Sequence, residues 1–131
     1  MARNESRPAA PQRIAAYRRG LSGESLAAWF YRLRFYRVLA RRYRTPAGEI
    51  DLILRRGRTI VFAEVKHRAT EAAAIDAVTA TARRRITRAA ELWLASHPDA
   101  QGFDLRFDWV IIRPRRLPRL IPSVFDASGR S

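Results

Sequence analysis

Two apolar stretches separated by the short link Arg56-Gly57-Arg58 constrain this chain more than anything else in it. Glu49–Arg55 and Thr59–His67 are rich in Ile, Leu, Val and Phe. The gap between them is too short for the crossover that parallel neighbours require, so they must form an antiparallel hairpin. Ile50, Leu52 and Leu54 on one strand, with Val61, Ala63 and Val65 on the other, compose one wholly apolar face. The opposite face carries Ile53, Ile60 and Phe62, so the hairpin reads as buried on both sides and belongs inside a covered sheet. Charge is confined to one end. Glu49 and Asp51 open the first strand, Glu64 and Lys66 close the second, and antiparallel pairing brings those two ends together.

The rest of the chain supplies the cover. Ser22 is a candidate N-cap for a helix over Gly23–Arg34, in which Leu26, Trp29, Phe30 and Leu33 recur at helical spacing. Tyr36–Arg44 reads as a strand, followed by turn chemistry at Thr45-Pro46-Ala47-Gly48. A long helix is expected over about Glu71–Ser96, where Ile75, Val78, Ala82, Ile86, Ala89 and Trp93 step by three and four, and His97-Pro98 ends it. Leu105–Arg113 alternates as a strand, and the Pro- and Arg-rich tail from Pro114 reads as an irregular segment laid over the core. The expected fold is α/β: an αβββαβ core with a mixed sheet flanked by helices, in one domain over residues 21–131 preceded by a flexible basic arm at residues 1–20.

Composition narrows the partners. A formal net charge of +14 and a pI near 11.7 favour a large anion, and nucleic acid is the commonest. The absence of cysteine excludes disulfides, thiolate metal sites and cysteine nucleophiles, and suits a reducing, cytoplasmic setting. No apolar run approaches the roughly 20 residues of a membrane span, and the N-terminus has no apolar stretch like a signal peptide.

The charged end of the hairpin is where chemistry is concentrated. Asp51 and Glu64 share a face when paired residue numbers sum to an odd value, a condition met if a four-residue loop closes Leu54 against Thr59. The two acids are then diagonal neighbours, about 7–8 Å apart at the backbone, and both reach one cation. Two carboxylates together repel, and a divalent ion removes the repulsion. With only oxygen ligands on offer, Mg²⁺ (or Mn²⁺) is the expected ion, suited to lowering the pKa of bound water and neutralising charge on a phosphate. Lys66 lies two residues after Glu64 on the same face, where it would orient or help deprotonate a water, or stabilise transition-state charge. It is also the only lysine, all other basic residues being Arg. Arg is planar and permanently charged whereas Lys is compact with a tunable pKa, so a position that rejects Arg in so Arg-rich a chain points to chemistry.

Gly48-Glu49-Ile50-Asp51-Leu52-Ile53, followed by Val61-Phe62-Ala63-Glu64-Val65-Lys66, resembles the YraN family of small bacterial proteins, which is assigned to the restriction-endonuclease-like PD-(D/E)xK superfamily. The likeness extends to Gly23-Glu24 and to Arg106-Phe107-Asp108, covering roughly residues 20–125. It implies Asp51 and Glu64 as metal ligands, the Val65 carbonyl as a further ligand, Lys66 as the catalytic lysine and Glu24 as a helix-borne acid completing the site. Taken alone, Glu24 would serve equally to complement a helix dipole. Ile50 replaces the superfamily's frequent Pro, Ser25 replaces an Asp common after Gly-Glu, and His67 replaces the usual Thr, without removing a ligand.

The reading is a metal-dependent nuclease acting on phosphodiester bonds of DNA, with structured or branched DNA as one candidate substrate. The alternative is a catalytically inactive nucleic-acid-binding module or adaptor on the same fold. Arg44, Arg83, Arg84 and Arg88 are the candidate phosphate contacts, with Arg85 also expected to project away from the apolar stripe of the long helix. A homodimer would suit a two-strand cutter, although no sequence feature specifies the contact.

Overall fold

The computed structural model describes residues 23–124. The expected basic arm at residues 1–20 and the proposed cap Ser22 lie outside them. Helical residues 23–32 form α1. Then come β1 (Arg37–Thr45), β2 (Gly48–Arg56), β3 (Thr59–His67), α2 (Glu71–Ala77), α3 (Ala80–Ala95), a short 3-10 turn at Pro98–Ala100, β4 (Asp104–Ile112) and β5 (Arg119–Val124). The five strands form one sheet in sequence order. Every neighbouring pair is antiparallel except β3 and β4, which run parallel because α2 and α3 form the crossover between them. The result is the expected α/β architecture, a mixed sheet flanked by helices.

Each face of the sheet carries its own core. On one side Ile53, Ile60, Phe62, Phe107, Trp109 and Ile111 pack against Ile86, Ala89, Ala90 and Trp93 of α3. On the other, Leu52, Leu54, Val61, Ala63 and Val110 pack against Ala27, Ala28 and Tyr31 of α1. The hairpin is thus buried on both faces, as its composition demands. Ile50 departs from the simple alternation: it packs in the α3-side core and not with Leu52 and Leu54. The alternation of faces is therefore broken around Asp51.

Three expectations need correction. The long helix over Glu71–Ser96 is two helices, because Thr79 adopts extended backbone and its side chain accepts the Ala82 N–H as the N-cap of α3. Ile75, at the near end of the expected stripe, is consequently exposed. The tail is not irregular: Arg119–Val124 adds an edge strand to β4, where Pro122 costs nothing in the ladder. In α1 the large apolar residues face outward, with Leu26, Trp29 and Leu33 exposed, while the small Ala27 and Ala28 bring the helix close to the sheet. None of the helices among the described residues is long and apolar enough to cross a membrane.

Candidate active site

The β2–β3 ladder begins at Arg56–Thr59, so only Gly57 and Arg58 form the turn, not the four residues expected. The phase is the required one, paired residue numbers summing to an odd value, as at Leu52–Ala63. The ladder stops at Leu52–Ala63. There the Asp51 carboxylate replaces a backbone acceptor, its Oδ2 receiving the Val65 N–H at 2.8 Å. That bond ties Asp51 to the strand that carries Glu64 and Lys66 and satisfies a donor left over where the strands part.

Glu64 is buried, with its side chain 8% exposed, and two cations meet it. Lys66 Nζ lies 2.7 Å from Oε2, and the Arg85 guanidinium donates to the same oxygen at 3.0 Å and to Oε1 at 3.3 Å. Arg85 comes from α3; it stays exposed, as expected, but unlike its neighbours its guanidinium reaches the hairpin end. It stands three residues after Ala82 and four before Ala89, so helical spacing already places it beside the apolar stripe. Gly48 makes room for it. A Cβ there would sit 2.9 Å from Arg85 Cγ, and the φ of +144° is one that side chains rarely adopt.

The α1 side contributes the other half. Glu24, in the first turn of the described helix, accepts from Arg42 Nε at 3.1 Å. Arg42 holds a φ of +50°, an unfavourable conformation for a residue with a side chain, and it lies in β1 between the partners of Ile50 and Leu52. Glu49 pairs with Arg44 at 3.1 Å on the exposed rim. Desolvation is the largest influence on Asp51 and pushes its carboxyl up to about 6. The Val65 N–H opposes that shift, while the charges of Glu64, Glu24 and Glu49 add to it. Asp51 thus feels three other carboxylates, Glu49 and Glu64 from the hairpin end and Glu24 from α1, and Arg42 and Arg85 are the partners sequence reasoning missed.

Among the described residues no three His, Asp or Glu side chains gather tightly enough to form a metal cage by themselves. Asp51, Glu64 and the backbone of Val65 are nevertheless neighbours, and their donor set is all oxygen. The other residues singled out lie apart. Arg83 is exposed on α3, Arg84 donates to Thr81 Oγ1, and Arg88 pairs with Glu91. Asp108 is structural: buried on the α1 face, it accepts from Arg106 at 2.8 and 2.9 Å and from the Tyr31 hydroxyl at 2.6 Å. Burial and the Asp108 charge hold the Tyr31 hydroxyl protonated far above its ordinary range. His67 packs its ring on Gly23, and His97 stacks on Trp93 while its Nδ1 meets the Trp93 carbonyl.

Residues 23–112, from Gly23 at the start of α1 to the last residue of β4, match the model of the group described as "Uncharacterised protein family UPF0102". The chain belongs to the UPF0102 family. A UPF0102 protein of Methylorubrum extorquens is 53% identical over 124 residues, spanning 93% of this chain and 97% of the relative. Another, UPF0102 protein bll0669 of Bradyrhizobium diazoefficiens, is 51% identical over 124 residues, spanning 95% and 93%. A third, from Rhodopseudomonas palustris, is 47% identical over 126 residues and spans 96% of both chains. All the elements that build the site, α1 through α3, fall inside the UPF0102 match.

Proposed function

We propose that this UPF0102 protein is a metal-dependent nuclease of the PD-(D/E)xK type that hydrolyses phosphodiester bonds of DNA. The observation that carries the reading is the meeting of Asp51, Glu64 and Lys66 at the end of the β2–β3 ladder, with Asp51 bonded to the backbone between the other two. The residues fit a hard cation. A carboxyl raised to about 6 by burial and by neighbouring acids is a group for which a divalent ion is a better partner than a proton.

Asp51, Glu64 and the Val65 carbonyl would hold Mg²⁺ or Mn²⁺. When bound, that ion supplies a water of lowered pKa and a counter-charge for the phosphate. The Val65 N–H fixes the orientation of the Asp51 carboxylate beforehand, so little reorganisation is needed. Lys66 turns its ammonium from Glu64 toward the attacking water or the phosphate oxygens, and Arg85 keeps a positive charge on Glu64 when it does so. Glu24, held by Arg42, completes the acidic rim from α1.

One observation favours the alternative of an inactive binding module: Glu64 is already engaged by two cations, an arrangement that is complete without a metal. A cleavage panel of linear, nicked, single-stranded and branched DNA with Mg²⁺ or Mn²⁺, beside Lys66→Ala, separates the two. The nuclease gives metal-dependent cutting that Lys66→Ala abolishes while binding survives. Binding without cutting on every substrate would leave only the module.

A further inference from the structure

We propose that the end of the sheet opposite the candidate active site is a DNA-backbone subsite, in which Arg37, Arg55 and Arg58 hold phosphates a few nucleotides from the bond to be cut. The inference rests on the nuclease reading and specifies how substrate is held. Its basis is an asymmetry of charge. At the catalytic end every cation described above has a carboxylate partner: Arg42 with Glu24, Arg44 with Glu49, Lys66 and Arg85 with Glu64. At the hairpin-tip end, Arg37, Arg55, Arg56 and Arg58 make no ion pair among the described residues. Arg37 and Arg55 even stand directly opposite one another across β1 and β2, a like-charge pairing that destabilises the sheet.

Three of these guanidinium groups are nevertheless held in place. Arg55 and Arg58 both lie over the Phe103 ring, 4.5 and 4.4 Å from its centroid, and Arg56 lies 4.4 Å over Tyr36. Arg55 Nε also donates to the Gly57 carbonyl at 2.9 Å. A ring holds the flat of a guanidinium and leaves its N–H edge for a bidentate oxygen partner, the geometry a phosphate offers. Arg37 and Arg55 open onto a cleft of about 340 Å³ whose wall includes Tyr43, Trp93 and Phe103, with Asp99 as the acid on its rim. Arginines with no carboxylate partner among the described residues, beside an aromatic-walled cleft, form a phosphate-binding surface.

The spacing selects the ligand. Four residues of β2 separate Asp51 from Arg55, about 13 Å at strand rise. Eight residues of α3 separate Arg85 at the catalytic end from Trp93 at the cleft, about 12 Å at helical rise. Phosphates on one strand rise about 3.4 Å each along the duplex axis while winding round it, so both paths correspond to only a few consecutive nucleotides. The edge strand β1, carrying Arg41, Arg42 and Arg44, joins the two ends. A small anion would need only one end, and a strand of DNA engages both.

The test is duplex binding by fluorescence anisotropy in EDTA, so that nothing is cut, over about 50–200 mM salt. Arg37→Gln and the pair Arg55→Gln/Arg58→Gln should each lower the slope of log affinity against log salt by about 0.9 per phosphate lost, a roughly eight-fold loss at about 0.1 M salt. Arg55→Lys/Arg58→Lys should keep most of the slope. A second measurement needs no variant: in wild-type cutting of a duplex length series, KM should rise sharply once the flank on one side of the cut is too short to reach the subsite. The inference is overturned if folded Gln variants bind with the wild-type slope while Arg83→Gln/Arg84→Gln loses it, or if short flanks are cut as well as long ones. In either case Lys66-dependent cutting would persist and the nuclease reading would stand. If the wild type neither binds nor cuts any DNA, that reading fails and the subsite fails with it.

Discussion

Replacing Asp51 with Asn should make the protein more stable at neutral pH and useless to a metal. The Asp51 carboxyl is pushed up to about 6 from an ordinary 3.8, first by burial and then by Glu64, Glu24 and Glu49. At 1.36 kcal/mol per pKa unit, keeping it ionised costs the fold about 3 kcal/mol. The sign follows from linkage. Below the unfolded value the group is protonated in both states and contributes no penalty. The folded state binds the extra proton between 3.8 and 6, so stability falls as pH rises through that window and the penalty is constant above it. Asn keeps an oxygen for the Val65 N–H and removes the charge, so Asp51→Asn should recover about 2 kcal/mol at pH near 8, roughly 5–10 °C in Tm for a chain of this size. Urea unfolding of both proteins in EDTA at pH near 8 and near 4 measures it, and the gap should close at the acid end. Saturating Mg²⁺ should raise the wild type alone, by about 2.7 kcal/mol at a hundred-fold excess over Kd. A variant less stable than wild type at pH near 8, or a gap unchanged near pH 4, would refute the electrostatic account of this end of the hairpin.

Arg85→Gln removes one of the two cations on Glu64 and should tighten Mg²⁺ or Mn²⁺ binding roughly ten-fold, read by calorimetric titration; weaker or unchanged affinity would show that Arg85 does not compete for that carboxylate. Asp108→Ala strands the half-buried Arg106 and the Tyr31 hydroxyl, so it should cost about 3 kcal/mol in urea unfolding while leaving metal affinity in the surviving folded protein unchanged. A loss of metal binding out of proportion to unfolding would move Asp108 into the site.

The hairpin, its phase and the convergence of its charged ends were legible because they depend only on strand periodicity and a connection too short to cross over. What the sequence hid was decided by packing. Leu26, Trp29 and Leu33 look like a buried stripe because apolar volume suggests burial, yet α1 uses Ala27 and Ala28 for close approach and Tyr31 to reach Asp108. The break at Thr79 was masked by continuous three-four spacing on either side, although a Thr followed three residues on by a free N–H is a legitimate start signal. β5 was hidden by Pro122, which argues against a central strand but not against an edge. Arg85 was lost inside a run of three arginines, where composition suggests a solvated face and only the helical phase distinguishes the one that reaches Glu64.

The balance of charge around Asp51 also says something about order of binding. Glu24, Glu49, Asp51 and Glu64 supply four negative charges when ionised, and Arg42, Arg44, Lys66 and Arg85 supply four positive ones. The protein alone is therefore close to neutral at this point, and a divalent cation entering by itself leaves an excess of two. A phosphodiester, with its single negative charge, would offset half of that excess. Each ligand then relieves the electrostatic cost of the other, and linkage makes the effect reciprocal. If the site takes both, DNA should tighten cation binding and the cation should tighten DNA binding by the same factor, which titrating Mg²⁺ with and without a duplex would measure; equal affinities would refute the coupling.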